Sequence, residues 1–171
     1  FPNRNGFYYV LDRVTGEFLV GTPFARQTWA RGLDEDGRPI EAPETIPSQD
    51  GAVVYPDDDG AANWYSPTYS PQTNLIYQNV REKGGVYYLA DATYEPGKIY
   101  MGASRRVVSG EDPKGFLRAL HPLTGDLVWE VAVHSPPWAG LMSTAGGLVF
   151  SGTMEGDFFA ADARTGDVLW R

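Results

Sequence analysis

"RALHPLTGDLVW", Arg118 to Trp129, and "FAADARTGDVLW", Phe159 to Trp170, are two versions of one twelve-residue phrase. Thr124 and Thr165 stand 41 residues apart, and so do Trp129 and Trp170. A third version, "YVLDRVTGEFLV" from Tyr9 to Val20, holds Thr15-Gly16 in the same frame, and each copy has a glycine nine residues before its threonine: Gly6, Gly115 and Gly156. A fixed period of ~40–45 residues is the mark of a repeated supersecondary unit whose faces are buried against neighbouring copies.

Each phrase reads as a short apolar strand, a turn of the Asp-x-x-Thr-Gly kind and a second apolar strand, a β-hairpin whose glycine supplies the positive φ that the turn requires. Upstream of the last hairpin, "GLMSTAGG" and "LVFSGTMEGD" supply two more strand candidates, parted by Gly146-Gly147. Four antiparallel strands per period predict an all-β chain, a segment of a β-propeller with about three four-stranded blades. Trp129 and Trp170 are then expected in equivalent positions between successive blades. Val20 in place of the tryptophan, and His121 where the other copies have Asp12 and Asp162, predict less regular docking of those blades. Thr15 and Thr124 are 109 residues apart, too far for one blade and far enough for two with insertions. The polar, proline-rich stretch from Gly32 to Gly51 reads as a surface excursion.

Composition agrees. The 171 residues are 42% hydrophobic and 13% aromatic, enough for a sizeable core, while 20 glycines and 13 prolines leave no long helical stretch. A net charge of −8, with 14 scattered Lys and Arg, argues against a nucleic-acid surface. No apolar run approaches the ~18 residues of a transmembrane helix. Cysteine is absent, which removes disulfides and thiolate metal sites. "FPNRNGFYYVLD" enters a strand almost at once with neither Met nor leader, and Trp170-Arg171 lies inside a strand pattern, so residues 1–171 are expected to be one partial propeller domain lacking N-terminal blades and C-terminal closure.

Several side chains are candidates for chemistry. Asp57-Asp58-Asp59 reads either as a solvated loop or as a cation site, with the first the commoner outcome of such a run. His121 and His134 are too isolated for a metal centre, and Arg105-Arg106 reads as a surface pair. In "GAANWYSPTYSPQTNLIY", Asn63-Trp64 sets an amide beside an indole on a tight loop, able to offer in-plane hydrogen bonds and a flat apolar surface. In "HSPPWAGLMSTAGGLVFSGT", two prolines stiffen the approach to Trp138, and Ala139-Gly140 leave its ring uncovered. Either indole reads as packing or as a platform for a planar ligand.

Taken together, "NRNGFYYVLDRVTGE", "NWYSPTYSPQT", "PPWAGLMSTAGGLVFSGT" and "DFFAADARTGDVLWR" resemble the C-terminal part of the pyrroloquinoline-quinone-dependent alcohol dehydrogenases, the methanol and ethanol dehydrogenase family. The resemblance covers nearly the whole chain, in the family's order and roughly its spacing. It implies an eight-bladed propeller in the periplasm that holds pyrroloquinoline quinone and usually Ca2+, oxidises alcohols to aldehydes by hydride transfer to the quinone, and passes electrons to a cytochrome c. A haem c in a fused domain also occurs among such proteins.

Residue by residue, the resemblance implies that Arg4 hydrogen-bonds the quinone oxygens, that Asn63 and Trp64 contact the cofactor, and that Trp138 lines its cavity. It implies no catalytic residue and no metal ligand within this chain: the family's Asp base, Ca2+ ligands, adjacent cysteines and the tryptophan beneath the cofactor would all precede Phe1. "YPDDDGAANW" is more acidic than the family's pattern, which leaves the local loop geometry to be established. The competing reading is a non-catalytic propeller scaffold similar to the lipoprotein of outer-membrane protein assembly. A scaffold has no need of Arg4 converging with Asn63 and Trp64.

Overall fold

A computed structural model describes residues 1–89 and 93–171. Fifteen strands occur among them, in chain order β1 Phe7–Leu11, β2 Phe18–Pro23, β3 Ala30–Leu33, β4 Pro39–Glu41, β5 Ala52–Val54, β6 Thr68–Ser70, β7 Leu75–Glu82 and β8 Gly85–Leu89. They continue with β9 Ala103–Val107, β10 Lys114–Leu120, β11 Leu127–Val133, β12 Met142–Ser143, β13 Leu148–Gly152, β14 Phe158–Asp162 and β15 Val168–Trp170. The single helical element among the described residues is a 3-10 turn, Pro43–Thr45. Named strand pairs are antiparallel throughout.

The repeated phrase folds the same way each time. It builds the hairpins β1–β2, β10–β11 and β14–β15, and each shows a register shift at the equivalent place: Val10/Leu11, Ala119/Leu120 and Ala160/Ala161. In all three turns the glycine has positive φ, at 78°, 75° and 81°, and its N–H donates to the carbonyl of Asp12, His121 or Asp162. The Asp12 and Asp162 carboxylates also accept from the two N–H groups inside their turns, at 2.7–3.1 Å. An imidazole cannot copy that chelate. His121 instead sets its Nδ1 3.2 Å from the Thr124 hydroxyl, and the turn keeps its shape.

Two complete four-stranded sheets result, in the orders β6-β7-β10-β11 and β12-β13-β14-β15, with the two-stranded β1–β2 ahead of them. Strand parity explains how they stack, since side chains of a strand alternate between its faces. On β7, β10 and β11 the odd-numbered Leu75, Tyr77, Leu117, Ala119, Trp129 and Val131 meet Val149, Phe159 and Ala161 of the following sheet. The even-numbered Ile76, Val80, Phe116 and Leu120 meet Tyr8 and Val10 of the preceding hairpin. At the inner end β6 and β12 lie side by side, with the Thr68 and Ser143 hydroxyls 2.8 Å apart.

Trp129 behaves as its spacing predicts. It pairs with Ala119, its indole donates to the Ala163 carbonyl at 3.2 Å, and a Cβ on Gly166 would stand 2.7 Å from its ring. Trp170 occupies the equivalent register opposite Ala160, yet it is 57% exposed, which corrects the expectation that it is an inter-sheet wedge. The physical reason is that no sheet of this chain follows β15. The β1–β2 hairpin docks through different side chains: with Val20 in the tryptophan position, Tyr8 and Thr22 make the contact to Gly125, and the Tyr8 hydroxyl donates to the Pro122 carbonyl at 2.9 Å.

The sheet count also departs from expectation. The 109-residue interval holds one four-stranded sheet, not two, because two insertions expand it. Residues 24–67 carry the β3–β4 hairpin, the 3-10 turn and β5; residues 83–113 part β7 from β10 and carry β8–β9. The insertions join in a three-stranded sheet, β5-β8-β9. The Gly32–Gly51 excursion is largely exposed, as expected, but it is folded onto this layer with Ala42 buried.

Candidate functional site

The loop from Tyr55 to Tyr65 crosses from the inserted sheet to the inner strand β6, and its three carboxylates are tied down one by one. The Asp57 side chain is only 1% exposed and lies 3.0 Å from Lys83 Nζ and 3.3 Å from Arg105 Nη1. Arg105 also pairs with Asp58, whose N–H donates to the Tyr87 hydroxyl at 2.7 Å. Asp59 lies 3.1 Å from Lys83 and 3.4 Å from Arg81. Burial pushes the Asp59 carboxyl upward, but the Lys83 hydrogen bond and the Lys83, Arg81 and Arg105 charges prevail and hold it below its usual value. Each carboxylate of the run is thus paired with a basic side chain, Asp57 buried and Asp58 half exposed, and Arg105 is a partner of the loop more than of the surface. Among the described residues no three His, Cys, Asp or Glu side chains converge as a metal site would require.

With the carboxylates neutralised, the loop offers its backbone to the candidate residues. The Arg4 guanidinium donates to the Asp58 carbonyl, and the Arg4 carbonyl accepts from Ala61 N–H at 2.9 Å. A Cβ on Gly60 would stand 3.0 Å from both the Arg4 side chain and its carbonyl, so glycine, with φ of 80°, permits this approach. Arg4 is exposed and, among the described residues, within 4 Å of no carboxylate. It lies on a cleft of about 280 Å³ lined also by Asn5, Trp29, Pro56 and Asp58. Asn63 Nδ2 donates to the Asp59 carbonyl at 2.7 Å, while its Oδ1 accepts from Trp64 N–H at 2.8 Å. Both ends of the amide are therefore fixed.

Trp64 is 79% exposed, a large apolar surface left open on a loop otherwise well anchored. Its ring meets Tyr65, and Tyr65 meets Trp138 edge to face with centroids 5.9 Å apart. Tyr65 is buried, its hydroxyl has no partner among the described residues, and desolvation pushes its pKa up to about 12. Trp138 reaches this point from the segment before β12. Leu141 N–H donates to the Ser66 carbonyl at 3.1 Å, and the Asn79 amide donates to the Ala139 carbonyl at 2.8 Å. Arg81, on β7, lays its guanidinium over the Trp138 ring, 4.1 Å from the centroid.

Arg4 and Trp138 thus both meet the loop that carries Asn63 and Trp64, Arg4 at Asp58 and Ala61 and Trp138 at Tyr65, while the 280 Å³ cleft holds Arg4 and none of the other three. His121 and His134 lie elsewhere. A larger cleft of about 1070 Å³, lined by residues including Arg26, Lys114, Phe116, Val133 and His134, holds none of the four. Arg81, Lys83 and Tyr65 were not among the sequence candidates, and Arg105 entered only as a surface pair with Arg106. A signal for Arg81 did exist: "YQNVRE" sets Gln78, Asn79 and Arg81 inside a strand that is buried on both faces. A flat aromatic rim, a fixed amide and an unneutralised guanidinium can hold a planar molecule bearing oxygen acceptors or negative charge.

Comparison with known proteins points the same way. The chain is 40% identical over 177 residues to the quinoprotein alcohol dehydrogenase PedH of Pseudomonas putida, a match covering 98% of this chain and 30% of the relative. It is 40% identical over 176 residues to the lanthanide-dependent methanol dehydrogenase of Methylacidiphilum fumariolicum, covering 99% of this chain and 29% of that protein. A solved europium-containing methanol dehydrogenase superposes with a TM-score of 0.89 at 38% identity, over 98% of this chain and 30% of the other. A family model described as outer membrane protein assembly factor BamB matches residues 113–171. The chain spans about 30% of the length of the curated relatives it matches.

Proposed function

The chain is kin to one segment of the quinoprotein alcohol dehydrogenases, and from that kinship we propose that the polypeptide carrying it oxidises an alcohol to an aldehyde with pyrroloquinoline quinone. The observation that supports this reading is that Arg4 and Trp138, from two separate stretches, both pack against the one loop that carries Asn63 and Trp64. The fit to the cofactor is local and chemical. Arg4 has no carboxylate to satisfy it among the described residues and so can donate to quinone oxygens. Asn63 is clamped through both ends of its amide, and the indoles of Trp64 and Trp138 give flat walls. When bound, the quinone supplies a hydride-accepting carbon; these residues bind and orient it and shield one side from water.

The proposal carries the family's setting with it: an eight-bladed propeller in the periplasm and a cytochrome c as electron acceptor, with a haem c domain fused in some members. It also includes a hard cation, Ca2+ or a lanthanide, held by residues outside this chain. The match to the outer-membrane assembly factor covers only the last two repeated hairpins and includes neither Arg4 nor Asn63-Trp64. It reflects the shared repeat, so the scaffold reading is the weaker one. The test is quinone binding by the full-length protein, with Ca2+ or a lanthanide present, followed by dye-linked oxidation of primary alcohols. Stoichiometric binding and turnover are expected; a full-length protein that binds no quinone would return the scaffold reading.

A further inference from the structure

We propose that Arg81 is a positioning residue that holds two walls of this site in register, the Trp138 indole in the loop before β12 and the Asp59–Asn63 turn in the loop before β6. The proposal rests on the quinone reading above. Arg81 sits in β7 with its side chain 3% exposed, and each part of it touches a different segment. The guanidinium face covers Trp138 at 4.1 Å. Nη1 lies 3.3 Å from the Pro136 and Pro137 carbonyls, the two residues that deliver Trp138. Nη2 lies 3.4 Å from Asp59 Oδ2, and the Arg81 backbone N–H donates to the Ala61 carbonyl at 2.9 Å. The Asp59 carbonyl in turn accepts from the Asn63 amide.

The arrangement is an expensive way to fill space. A buried cation loses its hydration, and here it recovers one weak ion pair and two long hydrogen bonds, while Nε has no partner among the described residues. An apolar side chain of similar volume would pack at less cost, but it could not stack on an indole while gripping three carbonyl or carboxylate groups in other segments. Lysine could not either, since it has the charge without the planar fork. A positive charge behind the indole also favours an anionic ring ligand over a neutral one, which agrees with a quinone that bears carboxylates.

The experiment uses the full-length protein with Arg81→Lys and Arg81→Met, each also in a Trp138→Phe background. Quinone affinity is measured by titration, and near-ultraviolet circular dichroism is recorded without quinone. Both variants are expected to lose about 10–100-fold in quinone affinity, because a wall displaced by about 1 Å weakens binding on that scale, and lysine should not rescue it. Arg81→Lys should also change the near-ultraviolet spectrum of the parent but not that of Trp138→Phe. Parental affinity within about twofold together with an unchanged spectrum in Arg81→Lys would overturn the proposal, as would failure of both variants to fold, which makes Arg81 a purely structural residue. If the parent binds no quinone, the functional reading falls, and the spectral comparison alone still decides whether Arg81 orients Trp138.

Discussion

Arg4 illustrates how a residue's role follows from what its neighbours have already satisfied. Three aspartates lie within a few residues of it in space, yet Lys83, Arg105 and Arg81 take them up, and Arg4 is left with a backbone carbonyl. In the proposed reaction negative charge grows on the quinone oxygens, so a fixed guanidinium stabilises the transition state more than the ground state, and its loss belongs in kcat. Arg4→Ala in the full-length protein is expected to lower kcat by about 10²–10³ at full quinone occupancy, the usual cost of one preorganised donor. Full kcat at measured full occupancy would rule this role out. Arg4, Asn63, Trp64 and Trp138 could be named as candidates from the sequence because each lies in a contiguous motif. The pairings that hold them were not, because the Asp57–Arg105 and Arg81–Trp138 contacts join residues 48 and 57 positions apart, and sequence spacing carries no trace of them.

At the scale of strands and sheets, the repeated phrase was legible down to its glycine, since a turn that needs positive φ restricts the residue there. The two insertions were not: β5, β8 and β9 are short, and they form a sheet only with each other. The same phrase yields a test of what a neighbour contributes. Trp129 and Trp170 share a register position, but only Trp129 has a following sheet to cover it, with Gly166 and the Ala163 carbonyl against its indole. Trp129→Ala should therefore lower the stability of the chain by about 2 kcal/mol, less than for a fully buried large aromatic because Trp129 is only partly buried, while Trp170→Ala should cost under about 1 kcal/mol. Urea denaturation at low protein concentration measures both. Equal losses would mean that Trp129 draws its stability from its own hairpin and not from the contact between sheets.

Across the whole molecule, each sheet is buried by its neighbours, so the outermost faces of the chain have nothing of its own to cover them. On the last sheet Phe158 is 53% and Trp170 57% exposed, and Phe158 stacks on Phe150 with centroids 5.6 Å apart, a ready-made apolar surface. At the other end β1–β2 has two strands where the later units have four. Each exposed ring leaves on the order of 100 Å² uncovered, so burying both would contribute roughly 5 kcal/mol at the usual ~25 cal/mol per Å². Fixing two molecules together costs about 4–15 kcal/mol. The gain from these two rings barely meets the low end of that cost, so this surface by itself supports only very weak self-association, short of the micromolar range. Sedimentation of this chain by itself should show a monomer at micromolar concentration and an average mass that rises only towards millimolar concentration, and Trp170→Glu should abolish the rise without lowering the urea midpoint. A chain that remains monomeric throughout and melts cooperatively would mean that Phe150, Phe158 and Trp170 shield one another well enough to need no partner.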